Sequence, residues 1–452
     1  MLRSYHFSSA LMAGGWVSDV RIVVTQGRIS AIEIGVAAAP ADERHACVLP
    51  GIPNLHSHAF QRGMAGLTER RGPRSDSFWT WREVMYDFVD RLTPEDLLAI
   101  AAMAYVEMLE TGFVRVGEFH YLHHASGGEA YAEPARMSAA IVEAASETGI
   151  GLTLLPVFYQ YAGFGGAAPS TRQRRFIHDL DGFAALLDAV RGAAAALPDA
   201  VVGVAPHSLR AVGPATLAPL ADMAGAAPLH IHIAEQVQEV DDCLAWSGRR
   251  PVEWLLDTVD LDERWCLVHA THMTEHETQA LARSGAVAGI CPVTEANLGD
   301  GLFPVEVFLA ADGRLGIGSD SNVLIDASEE LRVLEYGQRL FRRERNLLAG
   351  GAGRSTGEAA YRLALTGGGQ ALGVRTGLSP GAPFDAVSLD TGHPSLAARA
   401  SDRLLDGFVF AAGRNAVDCV WRHGHKQVSG GRHHARDWVS ARYKATLARL
   451  LS

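Results

Sequence analysis

The feature that most constrains the fold is a rhythm of short apolar runs between residues 49 and 320. Eight recur, mostly separated by helix-like stretches: 49–56 (LPGIPNLH), 115–120 (RVGEFH), 151–158 (GLTLLPVF), 201–207 (VVGVAPH), 228–235 (PLHIHIAE), 265–270 (WCLVHA), 286–292 (AVAGICP) and 314–320 (RLGIGSD). Runs that are apolar at nearly every position belong to strands covered on both faces, as in a parallel sheet flanked by helices. Eight of them predict an α/β protein built on a (β/α)8 barrel over residues 51–374. The helices between them carry their own signals. Thr93 fits an N-cap, Pro94 the first helical position, and Glu95 and Asp96 the positive helix end, before a run that stops at Gly112. A second helix is expected over 135–148, with Gly149 as its stop.

The chain ends read differently. Residues 17–33 (VSDVRIVVTQGRISAIE) alternate around a Gln26–Gly27 turn, and 381–392 and 408–431 resemble short strands with glycine turns. Two terminal β segments need a common sheet to bury their apolar faces. Residues 1–50 and 375–452 are therefore predicted to form one small β-sandwich beside the barrel. The glycine-rich pieces 349–355 and 366–370 read as loops, without P-loop spacing.

Composition narrows the partners. The net charge of −11 over 452 residues argues against a general nucleic-acid or anionic-membrane surface. No window approaches the apolar length of a membrane span, and the N-terminus lacks a signal-peptide core, so a cytoplasmic protein is expected. The five cysteines are odd in number and form no CxxC pair, which points to buried thiols rather than a disulfide framework or a cysteine zinc site. Lysine occurs only at Lys426 and Lys444, far from any predicted barrel strand.

The first strand ends in His56-Ser57-His58. Alternate strand residues point the same way, so both imidazoles can face one ion at the barrel's catalytic rim. Other strand ends carry His232 with Glu235, then His269, then Asp320. Imidazole and carboxylate suit zinc or ferrous iron. Glu118 and His120 on the second strand are left open, as are Glu295 and Asn297 near the mouth. His123 and His124 read as solvated loop residues. His423, His425, His433 and His434 lie in the terminal β region, where no second metal site is expected.

The segments NLHSH (54–58), HIAE (232–235), CLVHA (266–270) and GIGSD (316–320) resemble the mononuclear deaminase branch of the amidohydrolase superfamily. The resemblance implies a single divalent ion, zinc before iron, held by His56, His58, His232 and Asp320. The lysine that bridges two metals in the binuclear branch has no counterpart in VVGVAPHSLR. More narrowly, NLHSHAFQRGMAG, FWTWREVMY, GEFHYLHH and APHSLRAV before HIHIAEQ resemble the formimidoylglutamate deiminases. That implies substrate contacts from Gln61, Arg82, Tyr121, His207 and Arg210, a homodimer, and deimination of N-formimino-L-glutamate in histidine degradation.

The chemistry fits these residue types. His269 and Asp320 would orient a water, Asp320 would take its proton, and Glu235 would carry a proton to the departing nitrogen. Arginine forks suit the two carboxylates of a small dianionic amino-acid derivative. Two alternatives stand beside this reading: an aminohydrolase acting on a purine, pyrimidine or triazine ring, and a non-catalytic metal-binding barrel.

Overall fold

The structure, a computed structural model, describes residues 2–73 and 76–452. Strands β1 (Leu2–Met12), β2 (Gly15–Thr25) and β3 (Arg28–Ile34) form an antiparallel meander. Strand β4 (Glu43–Pro50) runs parallel to β1, and its last residues also pair with the C-terminal part of the chain, Leu49 opposite Val387. Barrel strands follow: β5 (Ile52–Ser57), β6 (Phe113–His120), β7 (Gly151–Phe158), β8 (Val201–Val202), β9 (Ala205–Pro206), β10 (Leu229–Ile233), β11 (Trp265–His269), β12 (Val287–Ile290) and β13 (Arg314–Ile317). The chain returns to the first layer with β14 (Ala386–Leu389), β15 (Val417–Arg422), β16 (His425–Ser429) and β17 (Arg432–His433).

The terminal strands join in the order β17-β16-β15-β14-β4-β1-β2-β3. Their inner faces share one core, with Tyr5 stacked on Phe384 at 5.1 Å and set edge-on to Trp421 at 5.6 Å. Neither end of the chain has enough apolar surface to cover itself, so each supplies the other's lid.

The barrel strands are parallel throughout, and β8 and β9 are two pieces of its fourth strand. Parallel bridges Val204–Leu229 and Ser208–His232 join the fourth strand to β10, and Ser57–Asp320 joins first to last. Helix α1 (Phe78–Val89) and helix α2 (Pro94–Glu110) follow β5. The predicted cap of α2 forms: Thr93 Oγ1 accepts the Asp96 N–H at 3.2 Å, while the Asp96 carboxylate accepts the Thr93 N–H at 3.0 Å. Almost all of α2 is buried, because the C-terminal helix Arg436–Leu450 lies across it and Arg436 reaches Glu110 at 2.8 Å. Gly149 ends the helix Arg136–Thr148 in the left-handed region. No helix among the described residues is long and apolar enough to cross a membrane.

Several expectations change. The run 49–56 is two strands, broken at Gly51, where the chain passes from terminal sheet to barrel. The sequence TGGGQ (366–370) is no loop but the end of the helix Thr356–Ala371. Its glycines let helix and strand backbones touch: a Cβ on Gly367 would overlap the Leu315 carbonyl, and Gly368 lies over Pro53. Residues 408–416 are helical turns, with Phe410 stacked on Tyr336 at 5.8 Å, and strand begins only at Val417. His123 is buried and His124 half-buried, each ring bonded to a backbone carbonyl at 2.9 Å, of Val157 and Ile177 respectively.

Glu118 turns away from the barrel mouth. It accepts the Ala59 N–H at 2.7 Å and the Tyr105 hydroxyl at 3.2 Å, and burial pushes its carboxyl up to about 8. Between the usual value of 4.5 and about 8 the folded chain holds a proton that the unfolded chain releases, so this group's contribution to stability falls as the pH rises through that window. The Glu118→Gln variant is expected to lose less thermal midpoint between pH 5 and pH 8 than the parent; parallel curves by scanning calorimetry would refute this. The Gly367→Ala variant is expected to lose about 1–3 kcal/mol by overpacking, read from denaturant midpoints.

Candidate active site

At the C-terminal mouth of the barrel, three imidazoles and a carboxylate converge. His56 Nε2 lies 3.2 Å from His58 Nε2 and 3.0 Å from His232 Nε2. Asp320 Oδ1 lies 3.5 Å from His56 Nε2 and 3.2 Å from His58 Nε2. All four residues are buried. The outer nitrogens settle the tautomers of two rings: His58 Nδ1 faces the Phe119 carbonyl at 2.9 Å, and His232 Nδ1 faces the His207 carbonyl at 3.2 Å. Those nitrogens must carry the protons, which leaves both Nε2 atoms with lone pairs aimed at the common centre.

Burial keeps the rings neutral, holding His56 near 3 and pushing His58 and His232 down as well. Burial opposes ionisation of Asp320, but the His56 contact and the neighbouring imidazoles His58 and His269 outweigh it and hold this carboxyl well below the usual range. Converging lone pairs beside a carboxylate are self-repelling unless a cation sits among them. Two nitrogens bound tetrahedrally to one zinc stand about 3.3 Å apart, close to the spacings here. The donor set therefore fits one divalent ion.

The strand ends turn sharply to aim these groups. His269 and Asp320 have φ of 69° and 43°, in the left-handed region that side chains seldom adopt. A buried amide network fixes the turn. Asn322 Nδ2 reaches Ser57 Oγ, the His58 carbonyl and the Asp320 carbonyl, each at 3.1 Å. Its Oδ1 accepts the Ser319 hydroxyl at 2.6 Å, and the Ser319 N–H is held by Asn54 Oδ1 at 3.0 Å.

Beside this centre, His269 presents Nε2 at 3.8 Å from Glu235 Oε1 and 3.9 Å from Asp320 Oδ2. Its Nδ1 meets Glu295 Oε1 at 3.1 Å, so Glu295 orients the ring. Burial works against a charged His269, and the carboxylates of Glu235, Glu295 and Asp320 more than offset it, raising the ring to about 10. Burial pushes Glu235 up to about 7, with Asp320 and Glu239 adding to the rise against His269 and Arg210.

A cavity of about 590 Å³, including its open mouth, leads to these groups. All five expected substrate contacts line it. Gln61 donates to the Tyr121 hydroxyl at 2.9 Å, while its own Oε1 is buried without a partner. Arg82, half-buried on α1, meets the Tyr159 hydroxyl at 3.1 Å and lies over the Trp79 and Tyr86 rings. Buried Arg210 lies over Phe78 and Trp79, 3.9 Å from both Glu235 and Glu239, with Nε unpartnered. His207 lies beside them, and burial with the Arg210 charge pushes its ring well down. Asn297 only ties Glu69 across an exposed turn, at 2.9 Å.

Tyr159, Met85, Tyr86 and Phe176 also form the wall, beyond the residues expected from sequence. Tyr159 directly follows β7, and the strand-end rule that selected the histidines would have selected it too. Phe176 comes from a non-periodic loop that carries no local signal.

Dialysis against a chelator is expected to strip one divalent ion per chain and to lower the thermal midpoint, since the lone pairs are then uncompensated. One equivalent of Zn2+ should restore it, except in His232→Ala. Metal analysis with scanning fluorimetry checks this, and an unshifted midpoint refutes it.

Comparison with known proteins agrees with this geometry. The model of the amidohydrolase family matches residues 47–426, and that of the formimidoylglutamate deiminase HutF N-terminal domain matches residues 3–46. The chain is 50% identical over 445 residues to a formimidoylglutamate deiminase of Pseudomonas aeruginosa, covering 98% of each. A crystal structure of an amidohydrolase from Brucella melitensis superposes with a TM-score of 0.97 at 54% identity, covering 100% of each chain. An adenosine deaminase from Xanthomonas campestris with bound zinc shares the fold at 22% identity, with a TM-score of 0.80 over 99% of this chain and 98% of its own. The chain belongs to the amidohydrolase family and, within it, to the formimidoylglutamate deiminases.

Proposed function

We propose that this chain hydrolyses the formimino group of N-formimino-L-glutamate, giving N-formyl-L-glutamate and ammonia, the deimination step of histidine degradation, with zinc as its ion. The observation that carries the reading is a pair of guanidiniums in one cavity, neither hydrogen-bonded to a carboxylate among the described residues. Arg210 keeps 3.9 Å from its nearest carboxylates, and among the described residues no carboxylate forms an ion pair with Arg82. Two such cations call for a ligand with two carboxylates, each met by a planar fork. A purine, pyrimidine or triazine ring would stack on the aromatic wall but leave both guanidiniums unmatched.

With the carboxylates anchored, the formamidine carbon reaches the floor of the cavity. His56, His58, His232 and Asp320 would hold a divalent cation, which would supply the Lewis acidity that lowers the pKa of a water from about 15.7 to near 7. Asp320 and His269 orient the attacking water, and Asp320 takes its first proton. Glu235, poised at about 7, gives its proton to the imine nitrogen as the water adds. The proton held by Asp320 passes to the same nitrogen so that it leaves as ammonia, and Glu235 regains a proton from the hydroxyl as the carbonyl forms. Gln61 Oε1 is placed to accept a substrate N–H.

The proposal extends to a cytoplasmic homodimer. Five free, buried cysteines suit a reducing compartment, and the exposed Leu340 and Phe341 suit a subunit contact.

Ammonia release with N-formimino-L-glutamate beside guanine, cytosine and adenosine tests the reading. Arg82→Met and Arg210→Met are each expected to cut kcat/KM about ten- to a hundredfold, chiefly through KM, as loss of a charged hydrogen bond implies. Turnover unchanged in both variants would end it.

A further inference from the structure

We propose that Tyr159 binds substrate directly, its hydroxyl donating to the same carboxylate that Arg82 grips; this rests on the function proposed above. A phenol oxygen accepts two bonds and donates one. Tyr159 Oη receives Arg82 Nη2 at 3.1 Å and Gln173 Nε2 at 2.7 Å. A guanidinium can only donate. The buried Gln173 has its orientation fixed from behind, because its Oε1 accepts the Ser170 N–H at 2.8 Å, so its Nε2 is the atom turned to the phenol. Both acceptor positions of Tyr159 are thus filled, and its proton has to point elsewhere. No described protein group accepts it.

The ring leaves that proton one useful direction. Tyr159 is 3% exposed, packed on His207 at 4.6 Å and on Phe176 at 5.8 Å, and it lines the cavity. With Oη and Arg82 Nη2 3.1 Å apart, one carboxylate meets both donors, one neutral and one charged. The phenol also joins three elements that sequence keeps apart: α1, the end of β7, and the turn Thr171–Gln173. Gln173 thus meets the phenol from behind while Arg82 meets it within the cavity wall.

Steady-state kinetics of the metal-loaded Tyr159→Phe variant test this, with N-formimino-L-glutamate and two analogues that each lack one carboxylate: N-formimino-4-aminobutyrate and N-formimino-L-norvaline. Loss of one bond to a charged group predicts a kcat/KM for the full substrate about ten- to a hundredfold lower, carried by KM, with metal content unchanged. One analogue, lacking the carboxylate that Tyr159 meets, should be turned over equally by parent and variant, while the other keeps the deficit. A purely structural role would penalise both analogues alike, and that result, or an unchanged kcat/KM for the full substrate, overturns the proposal. Gln173→Met is the second arm. It removes a donor behind the phenol but leaves the phenol proton, so its loss should stay under about threefold; a loss matching Tyr159→Phe would mark both residues as scaffold. A parent enzyme silent on N-formimino-L-glutamate would fell the functional reading itself, and this inference with it.

Discussion

The mutual approach of three imidazole nitrogens and one carboxylate governs the rest of the structure. Lone pairs 3.0–3.2 Å apart repel unless a cation lies among them. They are nonetheless held together, because the surroundings over-determine them. Backbone carbonyls pin the outer nitrogens of His58 and His232, and the Asn322 amide ties the first and last strands at the residues that bear the donors. The Ser57–Asp320 bridge that closes the barrel lies between His56 and His58 on one side and at Asp320 on the other. Ring closure and ligand geometry are thus one constraint.

Electrostatics then sorts the remaining groups by depth. At the floor, burial keeps the imidazoles of His56, His58 and His232 neutral and lifts Glu235 to about 7, within reach of proton transfer at neutral pH. Nearer the mouth, Arg82 and Arg210 lie over aromatic faces, and neither donates a hydrogen bond to a carboxylate among the described residues. Arg210 stands 3.9 Å from the proton carrier Glu235, so the cationic pocket and the proton carrier adjoin. A chain with a net charge of −11 can in this way present a basic pocket to a dianion.

Legibility in the sequence followed range. Apolar runs of strand length, an N-cap box at Thr93 and a glycine stop at Gly149 are local, and the structure contains them. The triple glycine 367–369 misled because local propensity reads it as a loop, whereas close packing on β13 makes it helix; the cause lies about fifty residues upstream in Leu315. Residues 408–416 misled in the same way, their apolar character serving helical turns against Tyr336. Glu118 shows a third case: strand position gave it two faces, and only the packing of α2 chose the outward one.

By itself the sequence determined which chemical groups stand at which strand ends, because period-2 geometry puts His56 and His58 on one side and strand length puts His232, His269 and Asp320 at the rim. Tertiary structure alone decided that their nitrogens meet within hydrogen-bond distance, that Glu295 steers His269, and that Tyr159 and Gln173 stand behind Arg82. The physical reason is that such contacts join residues tens to hundreds of positions apart, whose distance is fixed by barrel closure and packing rather than by any local pattern.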